Sequence, residues 1–168
     1  MSKLTRYTLG GILFTLITGI LLHFAYEWSG NHRVVGLFSA TNESTWEHMK
    51  LVFFLLLIYS FYMNSKLKNT YPCVTSALLA GILLGTLLIP VIFYTYSGIL
   101  GKNTALLNIG TFVCSVILSF FLIYRSIITC HMEKFYEILE VLVVAFFMGF
   151  LLFTYYPPSL GIFISPNN

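Results

Sequence analysis

Apolar residues fill five long runs of this chain, and polar residues are confined to the short breaks between them. A membrane-crossing helix takes about 20 mostly apolar residues. Five stretches meet that length: 7–28, 44–64, 72–96, 104–128 and 135–156. The breaks carry turn and charge signals, at Gly30-Asn31-His32-Arg33, from Ser65 to Asn69, from Gly98 to Asn103, and from Thr129 to Lys134. The pattern predicts an all-α fold: one integral-membrane domain over 1–168, a bundle of five transmembrane helices. The first run follows Lys3 and Arg6. It is longer than the ~7–15 residues of a signal-peptide core, and no small-x-small cleavage site follows it. It therefore predicts a retained membrane helix.

Composition sharpens this picture. Only 9% of the 168 residues are charged, against 58% hydrophobic. A soluble domain carries about 25% charged residues, so lipid must serve as much of this chain's solvent. The bilayer is the first partner expected. A net charge of +3 without a clustered basic face gives no nucleic-acid footprint. Cys73, Cys114 and Cys130 show no CxxC spacing, which argues against a thiolate metal site and predicts small buried packing residues. All six acidic residues are glutamates.

Orientation follows from Lys and Arg. With the N-terminus inside, Lys3, Arg6, Lys66, Lys68, Arg125 and Lys134 fall on the inner side, and Arg33, Lys50 and Lys102 on the outer. The bias predicts N-in and C-out. Small residues repeat at spacing four in the first helix (Gly11, Thr15, Gly19) and in the third (Ala77, Gly81, Gly85), as helix-packing faces in lipid do. Pro90 is expected to kink or loosen the outer half of the third helix. Arg125 and Glu140 lie at similar depth, where they either pair or reach water and headgroups separately.

The segment from Gly36 to His48 is the one chemically varied stretch. It holds two of the six glutamates and one of the four histidines. Ser44-x-x-Glu47 fits a capping box, with Ser44 accepting from a backbone N–H one turn on and Glu47 reaching back to the N–H of Ser44. Glu43 and Glu47 are four apart and are expected on one helix face. His23 and Glu27 continue the small-residue row of the first helix to the same depth. Ionisable groups at membrane depth face the bundle interior or a wet cavity and mark functional sites. His23, Glu27, Glu43, Glu47 and His48 are therefore the candidate ligands for a divalent metal, with no HExxH among them. Asn42, Trp46, Tyr94 and Tyr96 complete the residues proposed to line an outward-facing pocket.

Tyr26-Glu27-Trp28-Ser29-Gly30, Val35-Gly36-Leu37-Phe38-Ser39, Asn42 through Lys50, Pro90 through Gly98 and Tyr155-Tyr156-Pro157-Pro158 together resemble a family of small bacterial integral-membrane proteins known as a domain of unknown function. The resemblance implies a polytopic protein of the bacterial cytoplasmic membrane, with relatives that continue past the Pro-Pro segment. It implies no particular activity. Three functional classes fit the residues. The first is a binding or transport protein with a Glu/His/aromatic pocket for an ion or small ligand. The second is a membrane-embedded metal-dependent hydrolase or transferase. The third is a subunit or scaffold, as a homo-oligomer or within a membrane complex. The small size and lack of an inverted repeat weigh against transport.

Overall fold

The five apolar runs each form one helix, and the polar breaks end them. In the computed structural model, which describes residues 1–165, the long helices are α1 (Lys3–Trp28), α3 (Thr45–Leu67), α4 (Val74–Leu100), α5 (Ala105–Thr129) and α6 (Tyr136–Phe153). All five are long and apolar enough to cross a membrane. A single-turn helix, α2 (Arg33–Gly36), lies in the polar segment, and 3-10 turns stand at Glu133–Phe135 and Gly161–Phe163. The starts of α1, α3 and α5 are capped by Ser2, Ser44 and Thr104, whose hydroxyls accept from Thr5, Glu47 and Leu107 N–H groups, satisfying donors that a helix start leaves open. Gly101 (φ 63°) ends α4 in the left-handed conformation that glycine adopts without strain.

Helices α3 and α4 form the interior, with α4 against α3, α5 and α6, and α1 closing on α3 and α5. Val52, Phe53 and Met63 of α3 meet Ala77 and Ile82 of α4 and Phe120 and Ile123 of α5 in one buried core. The outward faces of α1 and α6 carry Leu13, Ile17, Ile20, Ile138, Val141 and Met148 exposed, an apolar surface compatible with a membrane setting. Two packing modes set the spacing. Where backbones approach closely, glycine faces a large side chain. A Cβ at Gly81 would stand 2.2 Å from Ile123, and one at Gly85 2.3 Å from Ser119 Oγ. Gly11 and Gly19 likewise receive Phe120 and Phe112, so the small-residue rows are consumed inside the bundle. Between α3 and α6 the gap is filled by rings instead, with Phe53–Phe150 centroids 5.1 Å apart and Phe54–Phe147 5.7 Å.

The alternating helices put Asn42–His48, the end of α1 and the end of α6 at one end of the bundle, here the motif end. Lys3, Arg6, Lys66 and Lys68 mark the opposite, basic end. Two expectations, for the cysteines and for Lys50, are corrected here, and the alternative left open for Arg125 and Glu140 narrows. Cys73 and Cys130 are not packing residues: they form a disulfide with Cα atoms 5.3 Å apart, and Cys114 is exposed. Their 57-residue separation hides the pairing, because only the antiparallel packing of α4 and α5 brings the start of one beside the end of the other. Arg125 and Glu140 make no ion pair among the described residues, where all ion pairs lie at the motif end. Glu133, at the same end, accepts from Ser76 Oγ at 2.6 Å. Lys50 is not an outer-surface charge; it is fully buried. Helix α4 continues ten residues beyond Pro90.

Candidate functional site

At the motif end the chain leaves α1 at Trp28, turns through α2, and re-enters the bundle at Ser44. The two glutamates of this segment separate. Ser44 is the N-cap of α3, so Glu43 precedes the helix and helical spacing does not apply between it and Glu47. Glu47 lies in the first turn and is driven inward. Its carboxylate sits 2.6 Å from Lys50 Nζ and accepts from the Thr41 N–H at 2.8 Å and the Thr41 hydroxyl at 3.1 Å. The Lys50 ammonium also donates to the Gly36 carbonyl at 2.8 Å and to Thr154 Oγ1 at 3.0 Å. Its three protons thus have three acceptors, which a buried ammonium requires. This knot ties α2, α3 and the end of α6 together. Gly36 permits it: a Cβ there would meet the Tyr155 hydroxyl at 2.6 Å.

The capping box is therefore half-formed. Glu47 N–H donates to Ser44 Oγ at 3.4 Å, but it is Asn42 Oδ1, at 2.8 Å, that accepts from the Ser44 N–H. Glu47, proposed as a metal ligand, is a structural ion-pair partner. Asn42 is a turn-former. Trp46 points away from the site and stacks on Phe150 and Phe163, with centroids 4.6 and 4.8 Å away.

Glu43 swings the other way, across the end of α1. Its Oε1 lies 3.3 Å from His23 Nε2 and its Oε2 3.6 Å from His48 Nε2. The imidazole centroids are 5.4 Å apart. One ligand atom from each residue falls within 4.8 Å of the others. His48 is oriented by its own helix: Nδ1 stands 2.9 Å from the Ser44 carbonyl oxygen. A carbonyl only accepts, so Nδ1 carries a proton, and in the neutral ring that tautomer would turn the Nε2 lone pair toward the cluster. Metal-binding histidines are held in this way, with the second ring nitrogen donating to a carbonyl or carboxylate. Around a tetrahedral ion with bonds of ~2.0–2.1 Å, ligand atoms stand roughly 3.3 Å apart. The two Glu43–His contacts use different carboxylate oxygens and the three ligand atoms spread over as much as 4.8 Å, so an ion would have to draw the side chains together. Glu27, one turn beyond His23, is exposed and stays outside the group.

A small cavity adjoins the triad, lined by Glu43, Thr45, His48, Ile89, Phe93, Asn108, Thr111 and Phe112. About 20 Å³ of it is open to water centres, enough for one small ligand atom or water. Ile89 and Phe93 flank Pro90 on α4. Asn108 and Thr111 are on α5, and no motif in the sequence marks them. The Tyr96 hydroxyl meets the Asn103 carboxamide oxygen at 3.0 Å and also that of Asn108, so Tyr96 reaches the cavity through Asn108. Tyr94 is exposed, with its ring on Phe93, and takes no part. Of the nine pocket residues proposed from sequence, His23, Glu43 and His48 converge, and Tyr96 supports them at one remove.

No curated protein and no solved structure matches this chain. A family model matches residues 1–167, and with nearly its whole length covered the chain belongs to that family, the Family of unknown function (DUF6512).

Proposed function

We propose that this protein binds a divalent transition-metal cation at the motif end through His23, Glu43 and His48, as a multi-pass protein of the bacterial cytoplasmic membrane. The convergence of two imidazoles and one carboxylate, each offering one ligand atom within 4.8 Å of the others, carries the reading. Two nitrogens and one oxygen suit Zn²⁺, Fe²⁺ or Co²⁺ and disfavour Mg²⁺ and Ca²⁺, which take oxygen ligands. Binding is favoured over transport because the cavity beneath the triad is small and bounded by Ile89 and Phe112. The test is calorimetric titration of Zn²⁺ into the purified protein. One ion per chain is expected, and His23→Ala or His48→Ala should lose more than the roughly 10–100-fold that removal of an outer-shell partner costs. Equal Zn²⁺ affinity in the wild type and both variants would leave the triad as an ion pair linking α1 to α3.

A hydrolase ranks second, on one observation. Three protein ligands would leave the cavity side open beside Asn108 and Thr111, and catalytic zinc sites keep such a position for water. The scaffold reading is weakened by the glycine rows, which the bundle uses internally.

The proposed orientation keeps the basic end in the cytoplasm. Burial of Lys50 in an ion pair removes it from the outer side, so the Lys/Arg bias strengthens from six against three to six against two. This places the Cys73–Cys130 disulfide in a reducing compartment, where such bonds rarely persist, so the bond itself weighs against this orientation. Acid-quenched alkylation of growing cells decides between the two: free thiols support the N-in orientation. A bond already present in the quenched cells would reverse the orientation.

A further inference from the structure

We propose that the basic end carries a second site, a groove between α1 and α3 that holds the headgroup of an anionic phospholipid. The groove is lined by Lys3, Arg6, Tyr7, Gly10, Tyr59 and Tyr62, with a volume of about 540 Å³. That is within the ~300–1,000 Å³ range of small-molecule pockets. It lies at the ends of two membrane helices, where lipid headgroups lie against the protein.

The charges of the groove are uncompensated. No acidic residue stands in the first turn of α1. All ion pairs among the described residues are at the opposite end of the bundle, so neither Lys3 nor Arg6 has a carboxylate partner there. Two like charges one turn apart repel each other, and an anion between them relieves that repulsion. Lys66 adds a third cation at the margin, its Nζ 5.8 Å from the Tyr62 ring centre. The Arg6 fork matches phosphate oxygens bidentately, while Lys3 acts as a point charge.

The walls are preformed. The Tyr59 hydroxyl donates to the Tyr7 carbonyl oxygen at 2.6 Å, locking the two helices together. The Tyr62 ring lies 5.8 Å from both the Tyr7 and Tyr59 rings. Gly10 keeps the floor open, since a Cβ there would come 3.2 Å from the Tyr59 hydroxyl. Tyrosines with cations at a helix end suit the interface, where one side of the occupant is charged and the other acyl. A phosphodiester headgroup fits both halves of this lining; a free phosphate uses only the cations.

Native mass spectrometry of the full chain, released from detergent with equimolar dioleoyl phosphatidylglycerol and phosphatidylcholine, tests the site. The wild type should retain phosphatidylglycerol preferentially. Lys3→Gln/Arg6→Gln should cut that preference by about 30-fold, and Lys102→Gln, at the other end, should leave it unchanged. Equal retention of the two lipids by the wild type, or an undiminished preference in the double variant, overturns the proposal. Displacement of the lipid by millimolar inorganic phosphate would also overturn it, reassigning the groove to a soluble anion. If the double variant fails to fold, Gly10→Leu offers an independent reading, because it fills the floor without touching a charge. It should lower phosphatidylglycerol retention, and unchanged retention would count against the site.

Discussion

Lys50→Met should destabilise the protein by about 3–5 kcal/mol, the cost of leaving one member of a buried pair without the other. Neither side chain has appreciable solvent contact, with 0% of Lys50 and 2% of Glu47 exposed, so water cannot take the place of the lost partner. The variant strands the Glu47 carboxylate with only the Thr41 N–H and hydroxyl. It also leaves the Gly36 carbonyl without the ammonium it accepts from. Glu47→Gln should cost a comparable amount from the other side. The pair Glu47→Leu/Lys50→Met should recover most of the loss, since apolar residues of similar volume often replace a buried pair at little cost. Reversible unfolding of the four proteins in mixed micelles, analysed as a double-mutant cycle, measures the coupling. Additive single effects would show that the pair contributes nothing. The same variants should weaken metal binding, because Glu47 anchors the Thr41 end of the segment that carries Glu43.

Glu43→Gln should abolish Co²⁺ binding while leaving stability within about 0.5 kcal/mol of wild type. Glu43 is half exposed and makes no contact that holds the fold apart from its two histidines. The amide keeps the shape of the carboxylate and removes its charge, which the cation requires. Cobalt reports the ligand set directly, because its visible absorption depends on coordination number and geometry. A low-coordinate spectrum is expected for the wild type and the spectrum of the free aqueous ion for Glu43→Gln. Glu43→Asp should fall between them, since the shorter side chain keeps the charge and loses reach. A wild-type spectrum that persists in Glu43→Gln would place the metal elsewhere. Glu43 and Glu47 thus make a contrasting pair: one variant spoils the fold and the other only the site.

The sequence placed the five helices within a few residues, and it put the candidate chemistry of His23, Glu43 and His48 at one end of the bundle, as the structure does. It misassigned roles within that chemistry for one reason. Helical spacing was extended across Ser44, where the helix begins, so Glu43 and Glu47 were put on one face. Once Glu43 is outside the helix, the two carboxylates face different neighbours. Lys50 was legible as a charge, but its burial was not, because its acceptors come from residues 36, 47 and 154. Trp46 and Tyr94 share the motif end with the site, but their place along the chain carries no information on which way their side chains face. Asn108 and Thr111, which do line the cavity, are not legible as site residues, because hydroxyls in a helix can bond to their own backbone. Thr111 does so, donating to the Leu107 carbonyl at 2.9 Å.

By itself the sequence determined the elements: where apolar runs long enough to cross a bilayer start and stop, and which polar residues lie at which end. Those are local properties, set by hydropathy, capping and turn residues along the chain. Tertiary packing alone decided the pairings. It brought Cys73 to Cys130, buried Lys50 against Glu47, opened a groove between Arg6 and Tyr59, and turned His23, Glu43 and His48 toward one point. Each joins residues from different elements, or from opposite sides of a helix start, and no spacing along one element encodes which neighbour a side chain will meet.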